Sequence, residues 1–138
     1  MAQSGSNSLD RVRIGDCIRH GIFECDPRAS LVEVAEIMAS HRVHALIVSE
    51  RGRPARIVSD VDLIAAIAAD DTLTAEDVAS SEALSASSNS SLREAAQLMS
   101  KHGVSHLVAR DPASGQPVGV LSTTDILGAY GLAGRSEG

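Results

Sequence analysis

Gly119-Val120-Leu121-Ser122-Thr123-Thr124-Asp125-Ile126-Leu127 is the stretch on which the fold turns, because it has an earlier counterpart in Ile57-Val58-Ser59-Asp60-Val61-Asp62-Leu63-Ile64. In both, an aliphatic run ends in Ser-x-x-Asp and an aliphatic pair follows, the pattern of a strand handing over to a helix. A Ser at the last non-helical position accepts a hydrogen bond from a first-turn N–H. The Asp three residues on bonds back and faces the positive end of the helix dipole. Such a turn is at minimum a helix cap. It also gathers N–H donors, a hydroxyl and a carboxylate, which suit a ribose and its phosphate.

Outward from the two turns the chain repeats itself. Ser30 caps a helix whose Leu31, Val34, Ala35 and Met38 fall at i, i+3, i+4 and i+7, giving one apolar face that stops near His41-Arg42. Val43 to Val48 then reads as an aliphatic strand, Ser49-Glu50-Arg51-Gly52 as a turn, and Pro54 to Val58 as the second arm of a hairpin. With a brief leading strand Ile22-Phe23-Glu24-Cys25, the unit is strand, helix, strand, strand, helix. An offset of 61 carries Leu31 to Leu92, Ala35 to Ala96, Met38 to Met99, Val43 to Val104 and Leu46 to Leu107. Past the hairpin the offset is 63, because Asp111-Pro112-Ala113-Ser114-Gly115-Gln116 is a longer turn, and it carries Ser59 to Ser122 and Asp62 to Asp125. The Ser-rich segment Ser80 to Ser91 stands where the second leading strand belongs, and its low hydrophobicity argues weakly for one. A helical turn is expected around Ile14 to Ile18.

Composition narrows the function. A chain of 138 residues makes one domain or two small units that share a core. Its apolar content of 43% is carried by aliphatics, with aromatics at 1%, which leaves no base-stacking platform for single-stranded nucleic acid. A formal charge of -6 opposes binding to a phosphate backbone, though a local donor cluster can still hold one small anion. No stretch reaches the apolar length of a membrane span, and the polar start Met1 to Ser8 has no signal-peptide core, so the expectation is a cytoplasmic protein. Cys17 and Cys25 match neither a redox motif nor a zinc site and read as small buried hydrophobes.

With both turns and the repeat in view, the chain resembles a tandem pair of CBS domains, named for cystathionine β-synthase and also called a Bateman module. The likeness covers roughly residues 11 to 131. It rests on the Leu-x-x-Val/Ala-Ala-x-x-Met helix, the Val-x-x-Leu strand, the Gly-bearing hairpin and the closing Ser-x-x-Asp turn, all repeated. The resemblance implies an α/β (α+β) fold of two βαββα repeats packed through their sheets with pseudo-two-fold symmetry. CBS domain 1 would occupy residues 11-71 and CBS domain 2 residues 72-131, between a disordered lead (1-10) and a flexible tail (132-138). It also implies a stand-alone regulatory, energy-sensing module without catalysis, a homodimer that signals to a regulated partner. Its cofactor would be a non-covalent adenosine ligand in the cleft between the repeats: AMP, ADP, ATP or S-adenosylmethionine.

Carried over position by position, Asp62 and Asp125 match the family's ribose carboxylate. Ser59 and Ser122 match the hydroxyl that supports ribose and phosphate, and Thr124 adds a further hydroxyl where the first repeat has Val61. The base pocket would use Val43, His44 and Ala45 in the first repeat and Val104, Ser105 and His106 in the second, with Ile22 and Ala83 as walls. His106 stands where some members place a basic residue near phosphate. Arg56 departs from the Gly seen at Gly119, and Asp60 puts a second carboxylate where the second turn has Thr123. Negative charge repels phosphate, so the second turn is the better nucleotide site. The first is left empty or takes an uncharged adenosyl group, unless Arg56 reaches a phosphate. Two other readings stay open. In one, the Ser-x-x-Asp pairs are only caps in a scaffold dimer. In the other, His41 and His44 or His102 and His106 bind metal, although each pair crosses from a helix end into a strand. An enzyme reading has residue types but no motif: neither a Gly-x-Ser-x-Gly elbow nor a phosphate-binding Gly-rich loop occurs.

Overall fold

The computed structural model describes residues 9–18, 22–80 and 83–137, with side chains through residue 132. The chain divides into two compact units. Ile22–Ala83 forms one, and the segments before and after it form the other.

In the first unit the elements are β1 (Glu24–Cys25), α1 (Leu31–His41), β2 (Ala45–Val48), β3 (Arg56–Ser59), α2 (Asp60–Ala69) and α3 (Ala75–Val78). The aliphatic run of β2 is buried at every residue, as befits the central strand, parallel to β1 and antiparallel to β3. α1 begins where Ser30 Oγ accepts the Glu33 N–H at 3.1 Å. It ends where Arg42 turns left-handed at φ 54°. Between these ends Leu31, Val34 and Met38 are buried, against a core that includes Cys25, Leu46, Val48, Val58 and Leu63. That is the helix face expected from the periodicity.

The second unit repeats the plan in β4 (Ser85–Ser87), α4 (Leu92–His102), β5 (His106–Arg110), β6 (Pro117–Ser122) and α5 (Thr123–Glu137), with β5 central. Its core joins Leu92, Ala95, Met99, Leu107, Ala109 and Leu121. Ser91 and Glu94 form a reciprocal cap at the start of α4. Gly103 takes the left-handed position at its end, the place that Arg42 holds in the first unit.

Besides its sheet and helices, each compact unit holds one short further segment. A 3₁₀ turn at Ile14–Asp16 packs with the second unit: Ile14 is fully buried among Leu92, Met99 and Leu107. Its backbone bonds Ser88 and Ser90, with Ile14 N–H to the Ser90 carbonyl and Gly15 N–H to the Ser88 carbonyl, both at 2.9 Å. A Cβ on Gly15 would stand 3.2 Å from that Ser88 oxygen, so the close approach favours glycine. In the other direction α3 closes the first unit, its Ala75 fully buried in that core. The cause is burial. Each repeat's sheet and helices leave apolar surface that the repeat alone does not cover, and a neighbouring segment of chain covers it.

Three further features complete the two units. Despite its serines, Ser85–Ser87 is a strand, paired parallel with β5 and backed by Leu84 and Ala86 in the core. The expected disordered lead lies outside the described residues as far as Ser8, but Leu9 packs on the second core and Asp10 pairs with Arg93 at 2.6 Å. At the other end α5 runs through Glu137, beyond residue 131 where the repeat ends. Among the described residues no helix is long and apolar enough to cross a membrane.

Candidate functional site

Both Ser-x-x-Asp stretches are the strand-to-helix junctions that the sequence indicates, and the strand register brings most of the candidate residues to them. In the first unit Ala45 lies opposite Ser59, and Asp60 N–H bonds the His44 carbonyl at 2.8 Å, so Val43-His44-Ala45 runs beside the Ser59–Asp62 turn. Continuing the β1–β2 register from Glu24 and Ile47 sets Ile22 alongside Ala45. In the second unit His106 lies opposite Ser122, and Thr123 N–H bonds the Ser105 carbonyl at 3.0 Å, which sets Val104-Ser105-His106 beside the Ser122–Asp125 turn. Ala83 belongs with the first unit, its N–H bonded to the Ala55 carbonyl at 3.1 Å. Within that unit it continues from the chain that follows α3.

The two turns differ in chemistry. In the second, Ser122 Oγ accepts the Asp125 N–H at 3.2 Å while Asp125 Oδ2 accepts the Ser122 N–H at 2.9 Å. Both residues are half-buried, and the reciprocal bonds fix the carboxylate against the edge of β6. Thr123 and Thr124 are exposed, and the Thr124 N–H has no acceptor among the described residues. Across the strand pair, Ser105 Oγ and His106 Nδ1 are 3.0 Å apart. The turn therefore presents hydroxyls, one open N–H, one fixed carboxylate and an imidazole.

In the first turn only half of the cap forms. Ser59 Oγ accepts the Asp62 N–H at 3.2 Å, but the exposed Asp62 carboxylate accepts no hydrogen bond among the described residues. Asp60 fills the turn instead. Its Oδ1 accepts the Val61 N–H at 2.8 Å and its Oδ2 lies 3.0 Å from His44 Nδ1. His44 is well exposed, so this contact is open to solvent and weak as a source of stability. It nevertheless ties the start of β2 to the first turn of α2. Arg56 does not face the turn: its guanidinium donates to the Glu76 carbonyl at 3.4 Å, toward α3.

Sequence reading missed two features. The Asp60–His44 pair joins residues sixteen apart, and only the antiparallel register reveals it. Cys17 also bears on the second turn: burial first, then the charges of Asp16 and Asp125, push its thiol above the ordinary range. Cys25 is more strongly affected, pushed up to about 11 by burial and by Asp26, Glu33 and Glu24. Both thiols are free.

Comparison with known proteins places these features in context. The family model described as CBS domain matches twice, at residues 14–69 and 75–131. The protein MK0525 of Methanopyrus kandleri is 26% identical over 121 residues. That match covers 84% of this chain but 61% of the relative, so the chain spans under two thirds of the relative's length. Among solved structures, the fold matches the CBS domain pair of protein MJ0100, in complex with 5′-methylthioadenosine and S-adenosyl-L-methionine, with a TM-score of 0.78 at 21% identity. The alignment covers 87% of this chain and 96% of that one. The CBS domain protein PAE2072 of Pyrobaculum aerophilum, complexed with AMP, aligns with a TM-score of 0.74 at 24% identity over 88% of this chain and 99% of that one.

Proposed function

The chain belongs to the CBS domain family, and on that premise we propose that it is a regulatory module that binds an adenosine-containing ligand at its Ser-x-x-Asp turns and signals occupancy to a partner protein. The observation that carries this reading is the second turn. Asp125 is fixed by one oxygen and keeps the other for the hydroxyls of a ribose, while the Thr124 N–H and two threonine hydroxyls offer donors to a phosphate. Ser105 and His106 stand across the strand pair as further polar contacts. Two CBS pairs of similar fold are described with AMP or with S-adenosyl-L-methionine and 5′-methylthioadenosine, which supports the ligand class. Within it AMP, ADP, ATP and S-adenosylmethionine are the compounds to test.

The role is binding, not catalysis. A ligand with unequal affinity for two arrangements of the chain shifts their populations, and a partner that prefers one arrangement senses the ligand. The module works in the cytoplasm as a homodimer. In support, Val61, Ile64 and Ile67 on α2 and Leu127 and Tyr130 on α5 leave large apolar side chains exposed at helical spacing. The alternative is a scaffold dimer with no physiological ligand. It is favoured by the completeness of the Ser122–Asp125 cap, which by itself explains both residues.

A thermal-shift titration against AMP, ADP, ATP and S-adenosylmethionine separates the two. A ligand that binds only the native state raises the melting temperature in proportion to the logarithm of its concentration. The sensor reading requires such a rise for at least one compound and its loss in Asp125→Ala. No rise at millimolar concentration for any of them supports the scaffold.

A further inference from the structure

The two turns are built for ligands of different charge, and we infer that Asp60 excludes a 5′-phosphate from the first turn while leaving it open to an uncharged adenosine ligand. The inference rests on the nucleotide-binding reading above and concerns how that binding is divided between the two units.

Three observations carry it. The first is that the anion position of the first turn is already taken by the protein. Asp60 Oδ1 holds the Val61 N–H at 2.8 Å, and Ser59 Oγ holds the Asp62 N–H at 3.2 Å. In the second turn the residue matching Val61 is Thr124, whose N–H has no acceptor among the described residues, and the residue matching Asp60 is the neutral Thr123. A phosphate arriving at the first turn would have to displace a carboxylate to find a donor. At the second it would find one open.

The second observation is the charge count. The first turn assembles Asp60, Asp62 and the imidazole of His44, and the second assembles Asp125 and the imidazole of His106. Among the described residues of the turns themselves, Ser59–Asp62 and Ser122–Asp125, the first has one carboxylate more, that of Asp60. Asp125 is further tied to the Ser122 N–H, whereas Asp62 accepts no hydrogen bond among the described residues. The third observation concerns compensation: Arg56, the cation nearest in sequence, donates to the Glu76 carbonyl at 3.4 Å and makes no hydrogen bond to the turn among the described residues. His44 Nδ1 lies 3.0 Å from the Asp60 carboxylate and does not reach past it to the turn's N–H groups. One extra charge within a few ångströms at a solvent-screened site lowers the affinity for a phosphate by about tenfold or more. For an uncharged ligand the penalty disappears, and Asp62 remains free for ribose hydroxyls.

Calorimetric titration of the full chain with AMP and with adenosine, which differ only by the phosphate, tests this. Wild type should take up one AMP but two adenosines per chain. Asp60→Thr, which gives the first turn the residue of the second, should raise AMP to two per chain. Thr123→Asp should weaken AMP binding by tenfold or more and leave adenosine in place. Both positions are on the surface of the turn, and an unchanged melting temperature confirms that each variant is folded. Two AMP sites in wild type, or AMP binding indifferent to both substitutions while adenosine binds, would overturn the charge division and leave the nucleotide-binding reading standing. Binding of neither compound would overturn that reading, and this inference with it.

Discussion

Asp125 and Asp62 occupy matching positions, yet removing them should have unequal effects. Asp125→Ala deletes the acceptor of a hydrogen bond from the half-buried Ser122 N–H, worth about 1–2 kcal/mol because one partner is charged. It also deletes a negative charge at the positive end of α5, worth about 0.3–1 kcal/mol. Alanine's better helix propensity returns about 0.5 kcal/mol. The net loss is about 1.5 kcal/mol. Asp62→Ala removes no hydrogen bond among the described residues, so its dipole term and the propensity gain nearly cancel, leaving a change within about 0.5 kcal/mol of zero. The difference of about 1–1.5 kcal/mol is readable by urea unfolding of ligand-free protein. Circular dichroism is the probe, because the chain has no Trp and a single Tyr. Equal losses for the two variants, or a larger loss for Asp62→Ala, would refute the asymmetry of the caps.

Other outcomes follow from the same structure. Arg42→Gly should stabilise the chain by about 0.5–1 kcal/mol, seen as a higher urea midpoint, since Arg42 pays for a left-handed backbone that Gly103 adopts freely. Ile14→Ala should cost about 2–4 kcal/mol. In hydrogen exchange it should strip protection from residues 84–131 before residues 22–80, because Ile14 is buried in the second core and not in the first. Cys25 should react with a thiol reagent far more slowly than an unfolded control at neutral pH, since burial keeps it in the unreactive thiol form. The linked effect on stability has a definite sign. The unfolded thiol ionises near 9 and the folded one near 11, so the contribution of Cys25 is intact below pH 9 and is lost between pH 9 and 11. Cys25→Ser should remove that alkaline step.

Much of this architecture was legible in the sequence because it is written in local chemistry. Ser30 and Ser91 three residues before a Glu, and Ser59 and Ser122 three before an Asp, mark helix starts by a hydrogen bond that needs no tertiary help. The buried faces of α1 and α4 follow from apolar spacing. The strand at Ser85–Ser87 was indicated by the repeat alone, since its three small residues argue only weakly for one, and β5 supplies its ladder. What escaped is what the rest of the fold imposes. The placement of Ile14 in the second core and Ala75 in the first depends on surfaces that only assembled repeats possess.

At the site, Ser122 and Asp125 were readable as a reciprocal pair, and the same reading applied to Ser59 and Asp62 was half wrong. Nothing in Ser-x-x-Asp says that the intervening Asp60 would take over the Val61 N–H and pair with His44. Arg56 was open in sequence to reaching a phosphate, and the Glu76 carbonyl, twenty residues on, is what it meets.

The most direct test of the central claim is a two-dimensional amide NMR titration of the chain with AMP. Saturable shifts are expected at Ser122 to Ile126 and at Ser105 and His106, with the Thr124 amide among the largest because its N–H gains an acceptor, and they should disappear in Asp125→Ala. A spectrum that does not change at millimolar AMP, ATP or S-adenosylmethionine, or shifts confined to residues away from both turns, would contradict it.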